Sequence, residues 1–356
     1  MEGILVATFR CNAKCHMCNV WQYPTDPREE LDIKYYERMP SLEFLNITGG
    51  EPFLREELEE IVAIVKPRMK RICISTNGYY TERVTKLAKR FPDIGIRISL
   101  EGLPAANDEL RGIKDGFDHG LRTLLQLKRM GMKDIGFGCT VSDRNARDVL
   151  ELYELAKHLK VEFATAIVHN AFYFHKFDNA IEKRQEVSES FRELIMELFK
   201  TRRPKNWFRA YFNHGIINYV NGGARLLPCE MGSNIFMLDP WGEIYPCNVL
   251  KDSMGNIKNS DFETIWNSET AKTIREKARN CGMNCWMIGS VAPAIKQRKW
   301  SILRWVLRNK LSYPDYQCAI NPAVVYDADM KIAECRPTPE GVDPAAPQGV
   351  GLGTAD

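Results

Sequence analysis

Short β-rich runs alternate regularly with longer helical patterns over the first two hundred residues, and this alternation constrains the fold more than any other feature. Because repeated strand–helix–strand units produce a mainly parallel sheet, the pattern predicts an α/β fold. Six units suggest a partial (β/α)6 TIM-like barrel, although an open doubly wound sheet fits the same pattern. The predicted strands are Ile4–Phe9, Phe44–Thr48, Arg71–Ser75, Gly95–Leu100, Ile135–Val141 and Glu162–Val168, and the helices between them are Asp32–Met39, Arg55–Val65, Thr81–Arg90, Gly120–Met130 and Ala146–Leu159.

The pattern changes in the second half of the chain. A helix is predicted at Ile181–Lys200, and the pattern breaks after Pro204. A hairpin follows at Asn234–Cys247, turning at Asp-Pro-Trp-Gly. The predicted organisation is a barrel with connecting helices over 1–222, a small α+β domain over 223–290, a helical extension over 291–336 and a Pro/Gly/Ala-rich disordered tail over 337–356.

The chain contains eleven cysteines, and its composition limits the classes of protein in which their role can be sought. The net charge of +3 gives no reason to expect nucleic acid as a partner, and no apolar run is long enough to span a bilayer. The first residues lack a basic leader, so we expect a cytoplasmic protein with reduced thiols. Seven cysteines fall into two spaced groups, which indicates metal ligation. Of the other four, Cys73 and Cys139 lie in predicted strands as buried apolar residues, while Cys318 and Cys335 remain possible extra ligands.

The first group, Cys11-x-x-x-Cys15-x-x-Cys18, directly follows the first predicted strand. Ligands in parallel α/β folds bind at the carboxyl ends of strands, so a cofactor is expected at this loop. Three thiolates can hold three irons of a [4Fe–4S] cluster and leave the fourth iron open. Zinc is the alternative, but structural zinc sites usually have four ligands, for which only His16 is nearby.

Polar clusters end the next three predicted strands, where a single barrel mouth would collect them. They are Thr48-Gly49-Gly50-Glu51-Pro52, Ser75-Thr76-Asn77-Gly78 and Ser99-Leu100-Glu101-Gly102. The two glycines let a ligand approach the backbone closely, and Glu51 adds an acceptor. Arg111, predicted to lie in a loop, is suited to pairing with a carboxylate.

These motifs resemble the radical S-adenosylmethionine (SAM) superfamily from about Gly3 to Val168. The resemblance implies that the cluster on Cys11, Cys15 and Cys18 binds SAM and cleaves it to a 5′-deoxyadenosyl radical, which removes a hydrogen atom from substrate. It also implies a ferredoxin or flavodoxin as electron donor. Implied cofactor contacts are Gly49, Gly50, Glu51 and Pro52 for the methionine amino group, and Ser75, Asn77, Ser99, Glu101 and Arg111 for ribose or carboxylate.

The second group comprises Cys229, Cys247, Cys281 and Cys285. Four thiols suit a structural zinc site or a further [4Fe–4S] cluster. From about Leu227 to Trp286 the segment resembles the SPASM/twitch extension of radical SAM enzymes. The full SPASM cysteine pattern is incomplete, which favours the shorter twitch version with one auxiliary cluster.

An auxiliary cluster is associated with oxidation, or with peptide cross-linking, in similar enzymes. We therefore expect oxidation or another C–H functionalisation of a small molecule, with a peptide maturase or a lipid-modifying enzyme as alternatives. A non-catalytic zinc or Fe–S protein is the alternative from another class. Oxidation needs a base, for which the candidates are His169, His175, Tyr211, His214 and Asp239.

The segment 296–311 is basic and places Trp300, Leu303, Leu307 and Leu311 at helical spacing. Such a helix could contact a membrane surface or a lipid-linked substrate. Core-facing amphipathic helices are commoner, so we expect this apolar stripe to pack on the barrel instead.

Overall fold

A computed structural model of the chain describes residues 1–313 and 316–318. Cys335 and the predicted disordered tail over 337–356 lie outside the described residues. Six parallel strands form the centre of the fold. They are β1 (Glu2–Val6), β2 (Phe44–Thr48), β3 (Ile72–Thr76), β4 (Gly95–Ser99), β5 (Ile135–Val141) and β6 (Glu162–Ile167).

The strands lie side by side in sequence order, from β6 at one edge through to β1. A doubly wound sheet reverses its strand order at a switch point, and this sheet has no such reversal. In the described residues β1 pairs with β2 and with a later strand but not with β6, so the barrel is open. The predicted α/β partial barrel is confirmed.

Helices cover the outer face of the sheet through apolar stripes, as the periodicity predicts. The predicted helix at Asp32–Met39 is instead a 3₁₀ turn at Ile33–Arg38. The α-helices are α1 (Leu58–Val65), α2 (Thr81–Arg90), α3 (Pro104–Arg111), α4 (Gly116–Arg129), α5 (Val149–His158), α6 (Arg184–Lys200), α7 (Pro204–Val220), α8 (Phe262–Asn267), α9 (Glu269–Arg279), α10 (Ile288–Gln297) and α11 (Lys299–Leu311).

Helix α7 occupies a segment in which the sequence predicted no helix. Pro204 stands at its first position, where the missing N–H costs no hydrogen bond. Every residue from Ala210 to Asn218 is buried, between α6 and α11. A helix that is buried on all sides lacks the polar face that produces a 3.6-residue pattern, so sequence periodicity does not reveal it.

The second cysteine group belongs to an extension of the same sheet. Strand β7 (Ile235–Leu238) pairs in parallel with β1, and β8 (Glu243–Tyr245) and β9 (Gly255–Asn256) continue the sheet in antiparallel fashion. Trp286 anchors the end of this region by donating from its indole N–H to Phe212 O at 2.8 Å. A Cβ on Gly215 would lie 2.0 Å from the Trp286 ring, so only glycine admits this packing.

Helices α10 and α11 lie towards the end of the barrel at which the strands begin. Lys296 pairs with Glu2 at the start of β1, and Lys310 donates to Phe199 O in the last turn of α6. The side chains that α11 buries are Ile302 and Val306. Trp300, Leu307 and Leu311 are instead 70%, 48% and 88% exposed, so the prediction that their stripe packs on the barrel is wrong. No helix of the described residues is long and apolar enough to cross a bilayer.

Candidate cluster and cofactor sites

The structure brings Cys11, Cys15 and Cys18 together in the loop after β1. The end of α3 holds this loop, because Lys14 N donates to Arg111 O at 2.9 Å and His16 N donates to Leu110 O at 2.9 Å. Burial raises the pKa of Cys11 to about 12 and that of Cys18 to about 11, and the neighbouring Cys15 thiol adds to both shifts. Such thiols stay protonated until a metal replaces the proton.

Gly49 and Gly50 follow β2 and lie against the start of the cysteine loop. Gly50 N donates to Thr8 O at 2.7 Å, and Glu51 N donates to Arg10 O at 2.8 Å. A Cβ would come within 2.4 Å of Thr8 O at Gly49 and within 2.3 Å of Arg10 O at Gly50. The space that we expected these glycines to leave for a ligand is therefore filled, on the Cβ side, by the backbone of the cysteine loop.

Glu51 ties neighbouring strand ends together. Its buried carboxylate accepts hydrogen bonds from Thr76 Oγ1 at 2.7 Å, from Asn77 N at 2.8 Å and from Phe53 N at 3.1 Å. Burial raises its pKa, and these three donors oppose the rise. Pro52 begins a short turn, Pro52–Leu54, directly after it. Glu51 thus fixes the β2 and β3 ends relative to each other.

The remaining polar residues of the mouth are placed at the ends of β3 and β4. Asn77 Nδ2 donates to Asn12 Oδ1, inside the cysteine loop, at 2.8 Å. Ser75 Oγ donates to Asn46 Oδ1 at 3.1 Å. Ser99 is the last residue of β4 and is half-buried. Asn77 is therefore the member of this set that contacts the cysteine loop directly.

Glu101 and Arg111 form an ion pair with 2.7 Å between Oε1 and Nη1, and both side chains are largely buried. Arg111 is the last residue of α3, not a loop residue as predicted. Burial raises the pKa of Cys15, and the nearby Arg111 guanidinium is the largest influence opposing that rise. Arg111 therefore places a positive charge beside the cysteine loop.

Two buried donors beside the loop have no hydrogen-bond partner among the described residues. They are Asn12 Nδ2 and Arg111 Nε. An unpaired buried donor costs free energy, so a ligand that accepts from both would be stabilised. A carboxylate is such a ligand, and the methionyl part of SAM carries one. The residues present therefore fit SAM bound beside the three cysteines.

The second cysteine group lines a cavity of 220 Å³, large enough for a group several times the size of a water molecule. Cys229, Cys247, Cys281 and Cys285 all face it, together with Arg225. Burial raises the pKa of Cys247 to about 12, while the N–H groups of Val249 and Leu250 oppose the rise. Each of these N–H groups donates to the Cys247 sulfur, at 3.4 and 3.3 Å.

Arg225 is the charged residue of this cavity. Its guanidinium lies 5.5 Å from the Trp286 ring centre and donates to Ser290 O and Ser290 Oγ, at 3.1 and 3.0 Å. Cys318 lies elsewhere, with its sulfur 3.1 Å from His214 Nδ1. Cys73 and Cys139 are buried in β3 and β5.

Among residues 1–313 and 316–318, no group of three or more His, Cys, Asp or Glu side chains is arranged to hold a single metal ion. A zinc site needs four donors around one position. In a four-iron cluster each thiolate binds its own iron, so the thiolates lie farther apart.

A segment after β6 joins the two cysteine sites. Tyr173 donates from its hydroxyl to Gly49 O at 2.9 Å and from its backbone N–H to Asn248 O at 3.0 Å. Phe174 O accepts from Asn19 N, next to Cys18, at 2.8 Å. We call residues 169–176 the bridging segment, because it contacts the first cysteine loop, the β2 end and the residue after Cys247.

His169 lies at the start of the bridging segment. Its Nδ1 is 3.3 Å from Ile167 O and its Nε2 is 3.1 Å from Asn248 Nδ2. Burial lowers its pKa to about 4, so the ring is neutral near pH 7. Asn248 Oδ1 is buried without a partner in the described part of the chain. His175 stacks on Tyr23 with 4.3 Å between ring centres.

The other candidate bases lie apart from His169. The Asp239 carboxylate accepts from Trp241 N at 2.9 Å and from Glu243 N at 2.8 Å in the β7–β8 turn, and burial raises its pKa to about 6. Tyr211 and His214 lie on α7 and pack against α11. The structure does not bring these two residues to the cysteine loop.

Sequence reasoning missed several polar residues of these sites. Asn12 lies within the Cys11–Cys18 motif, and Arg225 precedes Cys229 by four residues, so proximity to a ligand was an available signal for both. Tyr173 and Asn248 were also missed. Their side chains contact Gly49 and His169, and these contacts form only once the bridging segment is in place. For Tyr173 no local sequence signal existed.

Comparisons with known proteins agree with this geometry. The model of the radical SAM superfamily matches residues 5–156, and the model of the SPASM iron–sulfur cluster-binding domain matches residues 229–286. The chain therefore contains a radical SAM domain over residues 5–156 and a SPASM domain over residues 229–286. The radical SAM domain implies SAM and a [4Fe–4S] cluster as cofactors, and the SPASM domain implies auxiliary Fe–S binding.

Several curated relatives are similar to this chain. The Fe-coproporphyrin III synthase of Methanosarcina barkeri is 31% identical over 43% of this chain, but the match spans only 40% of that relative. The AdoMet-dependent heme synthase of the same organism is 26% identical over 76% of this chain and 83% of its own length. Mycofactocin maturase MftC of Mycolicibacterium smegmatis is 26% identical over 76% of this chain and 71% of its own length.

Solved structures support the fold. The structure of anSMEcpe with bound AdoMet and the Kp18Cys peptide aligns with 86% of this chain over 99% of its own length, with a TM-score of 0.60 and 16% identity. The structure of Streptococcus suis SuiB bound to S-adenosylmethionine aligns with 79% of this chain over 70% of its own length, with a TM-score of 0.59 and 16% identity. At this identity the similarity establishes the fold alone.

Proposed function

We propose that this protein is an oxidoreductase that removes a hydrogen atom from a small-molecule substrate at the barrel mouth and accepts the released electron at its second cysteine group. The observation that carries the proposal is the bridging segment, which contacts both cysteine sites. Ile4 and Phe174 pack both in the apolar cluster that contains Cys18 and in the cluster that contains Cys229 and Cys247. The two sites are thus linked by continuous protein packing.

When bound, SAM and the first cluster supply a carbon radical that removes a hydrogen atom, and the auxiliary cluster supplies an electron acceptor. The residues of the chain position these groups. Cys11, Cys15 and Cys18 hold the first cluster, while Asn12 and Arg111 receive the SAM carboxylate. Cys229, Cys247, Cys281 and Cys285 hold the auxiliary cluster. A ferredoxin or flavodoxin is the proposed electron donor.

A dehydrogenation also releases a proton, and we propose Asp239 as its acceptor. A base works best when its pKa lies near the working pH, and burial raises the pKa of Asp239 to about 6. The turn that carries it reaches the start of the cysteine loop, since Trp241 packs against Phe9 with 5.2 Å between ring centres. His169, with a pKa of about 4 and both ring nitrogens near partners, is less suited to this role.

A peptide substrate is the second candidate. Its support is that three similar proteins are named for maturation or for the biosynthesis of a bacteriocin: mycofactocin maturase MftC, the antilisterial bacteriocin subtilosin biosynthesis protein AlbA and the sporulation killing factor maturation protein SkfB. The AdoMet-dependent heme synthase, which matches over most of both chains, supports the small-molecule substrate proposed first. Anaerobic turnover of tetrapyrroles and of short precursor-type peptides, followed by mass spectrometry, distinguishes the two.

The roles of the two cysteine groups are tested by iron content and by SAM cleavage after anaerobic reconstitution. Wild type should bind about eight irons, and a variant with alanine at Cys11, Cys15 and Cys18 should bind about four and cleave no SAM. A variant with alanine at the four second-site cysteines should also bind about four irons, but it should still cleave SAM without oxidising substrate.

Cys73→Ala is the matched control, because this cysteine is buried in β3 outside both sites and should not change the iron content. If the second-site variant keeps about eight irons, or oxidises substrate at the wild-type rate, the role proposed for the second group is wrong. If wild type binds zinc and no iron, the enzymatic proposal fails entirely.

A further inference from the structure

Helix α11 carries an outward surface that the fold does not use. We define its outer face as Trp300, Arg304, Leu307, Arg308 and Leu311, all of which are exposed. Arg304, Leu307 and Leu311 follow one another at intervals of three or four residues after Trp300, and Arg308 is next to Leu307. This spacing places all five side chains in one continuous stripe along the helix. The three apolar members lie in line along the helix, and the two arginines lie along one side of them.

The opposite face of α11 attaches the helix to the protein. Ile302 and Val306 are buried, and Trp305 packs on Tyr211 and His214 with ring centres 5.1 and 4.8 Å apart. Docking on α7 therefore needs none of the outer-face side chains. Exposing three large apolar residues in one stripe is unusual for a surface without a partner.

Charge indicates what kind of partner fits. The segment 296–311 contains six Lys and Arg residues and no Asp or Glu. In the part of the chain that the structure describes, neither Arg304 nor Arg308 forms an ion pair, whereas Lys310 donates to Phe199 O and Thr201 O and so serves the fold. The cations beside the apolar stripe are therefore available to anionic groups.

We propose that the outer face of α11 binds the surface of an anionic lipid bilayer. An apolar stripe containing Trp and Leu enters the interface between head groups and acyl chains, and flanking Arg side chains meet lipid phosphates. An acidic protein partner would use the arginines but would not need Trp300, Leu307 and Leu311 to penetrate an apolar layer. The combination therefore favours lipid.

The position of α11 is compatible with catalysis at a membrane. Lys296 and Lys310 fix α10 and α11 near the start of β1 and the end of α6, at the opposite end of the barrel from the cysteine loop. Binding through α11 would therefore leave the mouth open. The proposal does not depend on the substrate or on the reaction proposed above.

The test uses the full-length protein with reconstituted clusters, sedimented anaerobically with vesicles. Vesicles of phosphatidylcholine with phosphatidylglycerol should bind the protein, vesicles of phosphatidylcholine alone should not, and added salt should weaken binding. The variant Trp300→Ser/Leu307→Ser/Leu311→Ser and the variant Arg304→Gln/Arg308→Gln should each weaken binding about tenfold or more.

The matched control is Arg122→Gln/Arg129→Gln, which removes two exposed arginines from α4 and should bind like wild type. Unchanged thermal unfolding shows that each variant is folded, and unchanged SAM cleavage without vesicles separates this test from that of the proposed function. Three results would overturn the lipid proposal: no binding of wild type to anionic vesicles, wild-type binding by both outer-face variants, or Arg-dependent capture of an acidic flavodoxin without vesicle binding.

Discussion

Replacing Arg111 with Gln tests the proposed SAM carboxylate contact. Arg111 Nε is a buried donor with no partner among the described residues, next to the three-cysteine loop. The same guanidinium pairs with Glu101 through Nη1 at 2.7 Å, which fixes its orientation. A ligand carboxylate that accepts from Nε would satisfy this donor at little cost in side-chain entropy, because the ion pair already immobilises the guanidinium.

The expected magnitude follows from that one contact. A hydrogen bond to a charged group contributes about 1.5–3 kcal/mol. Arg111→Gln should therefore raise the dissociation constant for SAM by about 10-fold to 150-fold. Arg111→Lys keeps a charge for Glu101 but loses the planar fork, so it should retain the fold and still lose most of the affinity.

The assay is equilibrium binding of SAM to the reconstituted protein without reductant, so that SAM is not consumed. Arg97→Gln is the matched control, since Arg97 lies on β4 and pairs with Asp134 away from the cysteine loop. Iron content must equal that of wild type in each variant. If Arg111→Gln and Arg111→Lys both bind SAM as tightly as wild type, the assignment of Nε to the SAM carboxylate is wrong.

Two further predictions concern Arg225, beside the second cysteine group, and Asp239, in the β7–β8 turn. Arg225→Gln removes a cation from the auxiliary cavity, so one-electron reduction should become harder by roughly 100 mV, from a Coulomb energy of about 2 kcal/mol at an effective dielectric constant of about 20. An EPR-monitored redox titration measures this, and Arg122→Gln, at an exposed position of α4, should show no shift. Burial raises the pKa of Asp239 to about 6, above that of an unfolded carboxyl, so its folded form binds the extra proton and stability is lost as pH rises through this range. Asp239→Asn should therefore stabilise the protein more at pH 8 than at pH 5, by about 1–2 kcal/mol in thermal unfolding, while turnover is lost; an equal gain at both pH values would contradict the assigned pKa.

The elements that local pattern determines were predictable. The strand Ile135–Val141 and the helix Thr81–Arg90 have the predicted bounds, because one repeating face of each is buried against a fixed layer. The cysteine spacing and the Gly-Gly-Glu-Pro run are also local, so they identified the superfamily without any knowledge of contacts. What these motifs do locally was less predictable, as the glycines show by packing against the backbone of the Cys11 loop.

Features that depend on distant contacts were not predictable. Helix α7 is buried on all sides and so shows no amphipathic period. The side of α11 that docks was assigned wrongly, because the sequence contains apolar residues on both faces of this helix. Trp305 packs on α7 and Val306 is buried, whereas Trp300 is exposed. When a helix has apolar residues on two faces, their spacing in the sequence does not show which face packs on the protein. The neighbouring element determines which face is buried.

The relation between the two cysteine sites depends on one long-range pairing. Strand β7 pairs with β1 across more than two hundred residues of sequence, and this places the β7–β8 turn beside the loop that carries Cys11. The bridging segment then closes the remaining distance through Tyr173, which contacts Gly49 and Asn248 at once. Two metal motifs that look independent in the sequence therefore form one continuous structure, and that continuity is the physical basis for assigning the second site to the same reaction.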